Sequence, residues 1–442
     1  MSFAPSSDPN AFQVWLTRMN RPINLPTRVL GAFVATMIFI GGTHLLGGVT
    51  SGDASDSINT TWAFAHGATA CAYPPGNQFG LPYIPPVYPL FGAALSAILR
   101  IGHSVTFPSV AQMGPQCSNA VDAMYHWSLQ SHALEPTLQL GYLTWFILAV
   151  GTVALLRASG RRQTIWEPLG LILIAVVPSL LMGLHEYFHP QDIMAAGLIL
   201  GALAGARRGS WVIAGTLLGL ACMTQQFALL AAVPLAFAVP RNRMAKFLVS
   251  SAATISAVII PVLLVTPHGS LRAVLAGSGT TWDSGTLLDA THLHGPLLFI
   301  ASRYLPIAAS LLLSWWAREK LGDHLIDAVP LLSLVATSLS LRLVFEVNLW
   351  GYYFMAASVL LVLLDVIRGR FRWMLVLWLA LQPMAFRPVI GVISSFGPTH
   401  SYWLPLWMWQ IILVAGAVTL SGGPLLETVR NEHPPSMTPT SG

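Results

Sequence analysis

Two carboxylates, Asp53 and Asp56, stand in a polar stretch from Thr50 to Tyr88 that directly follows the first long apolar run. An acid beside a membrane exit can serve as general base for a hydroxyl nucleophile. It can equally serve as an N-cap, since both acids precede a helix expected over Ser57–His66. The capping role suits Asp53. Asp56 is left open between the two roles and is the candidate catalytic base, with Asp53 as its alternate. A second group, His185, Glu186, His189, Gln191 and Asp192, lies in the run HEYFHPQD. His185-Glu186-x-x-His189 matches the letters of a zinc-protease motif, which needs one continuous helix so that both imidazoles meet one metal. Pro190 disfavours helical backbone at His189, and no third ligand is evident, so no metal site is assigned. The same residues also read as a helix start, with Pro at the first position and Asp192 in the first turn. A helix N-terminus is a natural place for a phosphate. Gln225 and Gln226, Arg303, Arg342, Glu346, Tyr352 and Tyr353 complete the set. Either arginine can grip a phosphate. Arg342 and Glu346 can instead form an i,i+4 ion pair, Arg303 can snorkel to an interface, and the tyrosines suit an aromatic belt.

Composition shows what must position these groups. Of 442 residues, 54% are hydrophobic and only 9% charged, against about 25% charged in ordinary soluble domains. Apolar runs recur along the whole chain, many long enough for a hydrocarbon core of ~30 Å. The expected fold class is an all-α polytopic membrane protein. Arg18, Arg21 and Arg28 precede the first span, Val29–Val49, which places residues 1–28 in the cytoplasm and does not resemble a secretory leader. The next full span, Leu138–Leu156, ends at Arg157, Arg161 and Arg162. Residues 50–135 therefore form a long first external region, and its apolar run 87–101 is expected to lie at the interface rather than cross. The remaining spans keep this parity. They are Ile165–Leu184, a segment ending at Arg207 and Arg208, Phe247–Val265, Leu297–Trp316, Ala328–Leu341, Tyr353–Leu364 and two more. Trp211–Met223 and Phe227–Val239 are too short to cross alone and read as paired helices meeting at Thr224-Gln225-Gln226. Counting both gives about twelve crossings, a single transmembrane domain over 29–420 and a cytoplasmic tail over 421–442. Every basic cluster falls on the cytoplasmic side, and the candidate site residues fall on the outer side.

Cys71 and Cys117 share the external region, where an oxidising environment permits a disulfide. Cys222 reads as a buried hydrophobe. The net charge of +5 comes from short clusters between apolar runs; it orients spans and implies no nucleic-acid partner. No phosphate-binding loop of the nucleotide type is present.

The acidic first external loop, the span opening on His-Pro-x-Asp at His189–Asp192 and the following AGTLLGLACMTQQFALLAAVPL resemble the multi-pass C-type glycosyltransferases. The likeness is to their actinobacterial polyprenyl-phosphate-mannose mannosyltransferases and covers most of the chain with loose motifs. The resemblance implies inverting transfer of a sugar, mannose favoured, on the outer face of the cell membrane. The donor is a polyprenyl-phosphate sugar, and the acceptor is a hydroxyl of a lipid-linked glycan of the kind used in cell-wall glycolipid biosynthesis. The family's loop aspartate maps onto Asp56, which precedes Trp62-Ala63 and Gly67, and its Pro-Tyr and Tyr-Pro features resemble Pro82-Tyr83 and Tyr88-Pro89. Where members carry a Lys before the second short helix, this chain has Gln225, which shifts the phosphate-binding role toward Arg303 or Arg342. The reading assigns no cofactor and is compatible with a divalent cation. Two other classes are compatible with the same residues: a transporter or flippase with polar groups along its path, and an intramembrane zinc metalloprotease.

Overall fold

The structure is a computed structural model that describes residues 19–46, 52–73, 85–130, 133–185, 188–266, 295–346, 349–385 and 406–432. Its elements are helical, and among the described residues the only strand-like feature is an isolated bridge between Pro22 and Thr164. Among the described residues, six helices are long and apolar enough to cross a membrane: α1 (Leu25–Leu46), α5 (Leu134–Ala158), α11 (Met244–Val265), α13 (Ala328–Phe345), α14 (Met355–Arg368) with the turn before it, and α16 (Leu406–Glu432). A seventh is the pair α6 (Trp166–Ala175) and α7 (Pro178–His185), bent by 57°. The bend falls where Pro178 cannot continue the preceding helix but fits the first position of the next. Between these lie α8 (Pro190–Arg207), α9 (Trp211–Cys222), α10 (Ala228–Ala238), α12 (Gly295–Leu321) and α15 (Trp373–Leu381). Helices thus stand at the expected spans, and among the described residues length and apolarity alone pick out six or seven of the roughly twelve expected crossings.

Three boundaries differ from expectation. α1 begins at Leu25, four residues early, because Asn24 Oδ1 accepts from the Thr27 amide at 2.9 Å and Pro26 suits the first turn. The helix after it, α2, spans Gly52–Ala65 rather than starting at Ser57. Asp53 and Asp56 therefore lie inside the helix rather than before it. α16 continues to Glu432, past residue 420, because Glu427 pairs with Arg370 at 3.0 Å and with Arg368.

The basic clusters gather at one end of the bundle. Buried Glu167 accepts from Arg28 Nε at 3.2 Å, Arg157 Nε at 2.9 Å and the Gln163 amide at 2.7 Å. Arg161 donates to the Ile367 carbonyl at 2.7 Å, and Arg207 to the Ile326 carbonyl at 2.8 Å. Asp365 accepts from Arg372 at 2.7 Å. Glu167→Gln is expected to lower stability by ~2 kcal/mol, the range of a charged hydrogen bond. It leaves two half-exposed arginines without their common anion. Thermal unfolding of the purified protein checks this, and a midpoint equal to wild type would show that water replaces the carboxylate fully.

At the opposite end a small unit caps the bundle. It contains α2, α3 (Val87–Leu99), α4 (Ala120–Gln130) and two short turns that carry Cys71 and Cys117. These cysteines form a disulfide with Cα atoms 5.4 Å apart, around a core that includes Tyr73, Met113 and Met124. Trp62 Nε1 donates to Thr137 Oγ1 at 2.8 Å, fastening α2 to the start of α5. α3 begins beside α9, where the Val87 amide donates to the Met223 carbonyl at 3.0 Å. Just past its other end, Gly102 lies beside Pro136 of α5. α3 therefore lies across the ends of the bundle helices, with Ile98 and Leu99 exposed toward the surroundings, as suits an interfacial helix. Gly102 is required there: its φ is 68°, and a Cβ would stand 2.1 Å from the Trp62 ring.

Candidate functional site

The site is built on the turn between α7 and α8. Phe188 has a positive φ of 50°, and the His189 amide donates to the Gly183 carbonyl at 2.6 Å, so the chain reverses sharply before Pro190 opens α8. That geometry buries His189, Gln191 and Asp192 together at one helix N-terminus. Gln191 Nε2 stands 2.9 Å from His189 Nδ1, within hydrogen-bond range. The imidazole stacks on Tyr352 with centroids 3.7 Å apart, and Tyr353 meets Tyr352 edge-on at 4.6 Å.

The turn between α9 and α10 supplies the next wall. Gln225 donates to Asp192 Oδ1, and its own Oε1 accepts from the Gln226 amide at 3.0 Å. Gln226 Oε1 accepts from Arg303 Nη1 of α12 at 3.2 Å. From α13, Arg342 Nε donates to Glu346 Oε2 at 2.9 Å. The Arg342 guanidinium also lies over the Tyr353 ring at 4.4 Å and the Phe227 ring at 5.6 Å, a cation–π arrangement. Both His189 and Arg342 act electrostatically on Asp192. Five separate segments thus bring two guanidinium groups, a helix N-terminus, three amide side chains and a layer of rings into one connected cluster. Such a set suits an anion held beside a hydroxyl-bearing group. Gln191 Oε1 is buried with no hydrogen-bond partner among the described residues. An acceptor left this way costs ~1–3 kcal/mol, which a bound hydroxyl would relieve.

No protein-family profile and no curated protein matches the chain. Among solved structures it is similar to ArnT from Cupriavidus metallidurans bound to undecaprenyl phosphate. Identity is 13% and the TM-score 0.48, over 90% of this chain and 77% of that one.

Of the residues singled out by sequence, the structure joins His189, Gln191, Asp192, Gln225, Arg303, Arg342, Glu346, Tyr352 and Tyr353. Asp53 and Asp56 lie on α2, which packs on α3, and the first residue of α3, Val87, is bonded to Met223, two residues before Gln225. Their side chains are outside the description, as is that of His185, the last residue of α7; Glu186 lies outside the described residues altogether. The zinc-motif histidines sit on opposite sides of a helix break, one ending α7 and the other preceding α8. Among the described residues no group of three His, Cys, Asp or Glu side chains is placed to hold a metal. The ring of Phe227 was not legible as part of the site, because its position in an apolar run looks like any core aromatic. Tyr88, singled out by sequence only through its resemblance to a family Tyr-Pro feature, has a buried hydroxyl with no partner among the described residues.

Proposed function

We propose that this chain is a membrane glycosyltransferase that moves a sugar, mannose favoured, from a polyprenyl-phosphate donor to a hydroxyl of a lipid-linked glycan on the outer face. The observation that carries the reading is the convergence of Arg303, Arg342 and the α8 N-terminus on Asp192 and the Gln225-Gln226 turn, at one end of an apolar bundle. A lipid-phosphate donor keeps its tail in the bilayer and its head at such an end. The phosphate is its own leaving group, so no nucleotide site is needed. In the reaction Asp56 takes the proton of the acceptor hydroxyl, and the oxygen attacks the anomeric carbon from the face opposite the phosphate. The bond from that carbon to the phosphate oxygen breaks, and polyprenyl phosphate leaves with the electron pair while the arginines hold its charge. Inversion follows from the single displacement.

A transport path would need polar groups distributed through the membrane depth. Among the described residues the Asp, Glu, Lys, Arg and His side chains of the long helices lie near helix ends, the deepest being Arg303, eight residues into α12. That one helix ends at His185 and the next begins at Pro190 also disfavours the protease. The test uses the purified protein in lipid nanodiscs with radiolabelled polyprenyl-phosphate mannose and a mannosylated glycolipid. Label is expected in the glycolipid, with one polyprenyl phosphate released per transfer. Absence of transfer, with movement of the intact donor between leaflets of sealed vesicles, would establish the flippase instead.

A further inference from the structure

A groove of about 540 Å³ runs between α3, α5, α8 and α9, on the far side of α8 from the cluster. Gly197, Leu198, Gly201, Ala204 and Gly205 form its wall on that helix, and Arg208 follows the helix's last residue. At about 100° per residue the five stand roughly 120–240° around the axis from Asp192. A chain lying in the groove is therefore not a continuation of whatever occupies the cluster. Apart from Arg208 and Ser210 the lining is wholly apolar, and Phe146, Val150 and Ile213 on its rim are exposed where the bilayer would be. From Leu143 to Ala154 along α5 it extends roughly 17 Å, a little over half of a ~30 Å hydrocarbon core. That is the depth of one leaflet.

The groove ends among the basic clusters. Arg208 donates to the Ala154 carbonyl at 3.2 Å and is exposed. Among the described residues no acid lies within ion-pair range of it, whereas its neighbour Arg207 is paired with Asp327. Exposed Arg241, Arg243 and Lys246 stand at the same end, because α11 packs alongside α9; Ser251 Oγ donates to the Gly215 carbonyl at 3.0 Å. An apolar slot one leaflet deep, closed by cations, complements one ligand chemistry. We propose that it holds an acyl chain of an anionic phospholipid drawn from the leaflet on the Arg208 side, with the headgroup phosphate on Arg208. Zwitterionic lipids present the same chains and phosphate but add a positive group to a surface already positive. One basic side chain near a membrane surface favours an anionic lipid by roughly fivefold.

Native mass spectrometry of the full-length protein, titrated with phosphatidylglycerol or phosphatidylcholine of identical chains, tests this. Wild type is expected to retain phosphatidylglycerol roughly fivefold better. Arg208→Gln should diminish the preference, and Gly201→Leu, which fills the slot, should lower retention of both lipids. Should Gly201→Leu fail to fold, the exposed Arg208→Gln variant still decides. Equal retention of the two lipids by wild type would overturn the proposal. So would an undiminished preference in Arg208→Gln, or a lipid-free dimer seated on this face.

Discussion

Asp56→Asn is expected to lower turnover with a polyprenyl-phosphate sugar by ~10²–10⁴-fold, the range that general-base help contributes, while leaving donor binding near wild type. An acceptor hydroxyl is a poor nucleophile until its proton is taken, and Asn has the shape of Asp without the basicity. Asp56 lies within α2, which is fixed to α5 through Trp62 and Thr137 and abuts α3, whose first turn is bonded beside the Gln225 turn. That framework holds α2 at the cluster's end of the molecule. Asp53 is the control. It sits in the opening turn of α2 rather than before it, so Asp53→Asn should remove only a dipole contribution of ~0.3–1 kcal/mol and leave turnover within a few-fold. Single-turnover assays with equilibrium donor binding separate the outcomes. Near-normal turnover in Asp56→Asn would reject the assignment, and a dead Asp53→Asn variant would move the base by one helical turn.

The sequence made the bundle legible because apolar runs and arginine clusters alternate, and both follow from the solvent the helices meet. The start of α8 was legible too, since Pro190 and Asp192 are chemically suited to a first turn. The start of α2 was not, because Gly52-Asp53-Ala54-Ser55-Asp56 carries weak helical preference. The site was legible as a set of unusual polar residues in an apolar chain, but their connections were not. That Gln225 meets Asp192, 33 residues away, and that Gln226 meets Arg303, 77 away, depends on how helices pack. Periodicity carries no information on that. The Arg342–Glu346 pair was the exception, since a spacing of four within one turn of helix can be read directly.

That pair poses the sharpest remaining choice, because an ion pair and a phosphate contact use the same guanidinium. Arg342 is held by Glu346 through Nε and by two rings against its face, and Arg presents five N–H donors. The pair therefore orients the group without exhausting it. If Arg342 grips the donor phosphate, Arg342→Gln should raise the donor KM by ~10–100-fold, the equivalent of one charged hydrogen bond of ~1.5–3 kcal/mol. Glu346→Gln removes only the orienting partner and leaves the cation in place. Its KM should stay within a few-fold of wild type or fall, since one negative charge beside the phosphate is gone. A purely structural ion pair predicts a different pattern, because deleting either partner breaks the same interaction. The two variants would then lose stability together and shift KM alike. Donor KM and thermal midpoint measured on both variants distinguish the cases, and matched effects would transfer the phosphate-binding role to Arg303 at the Gln226 turn.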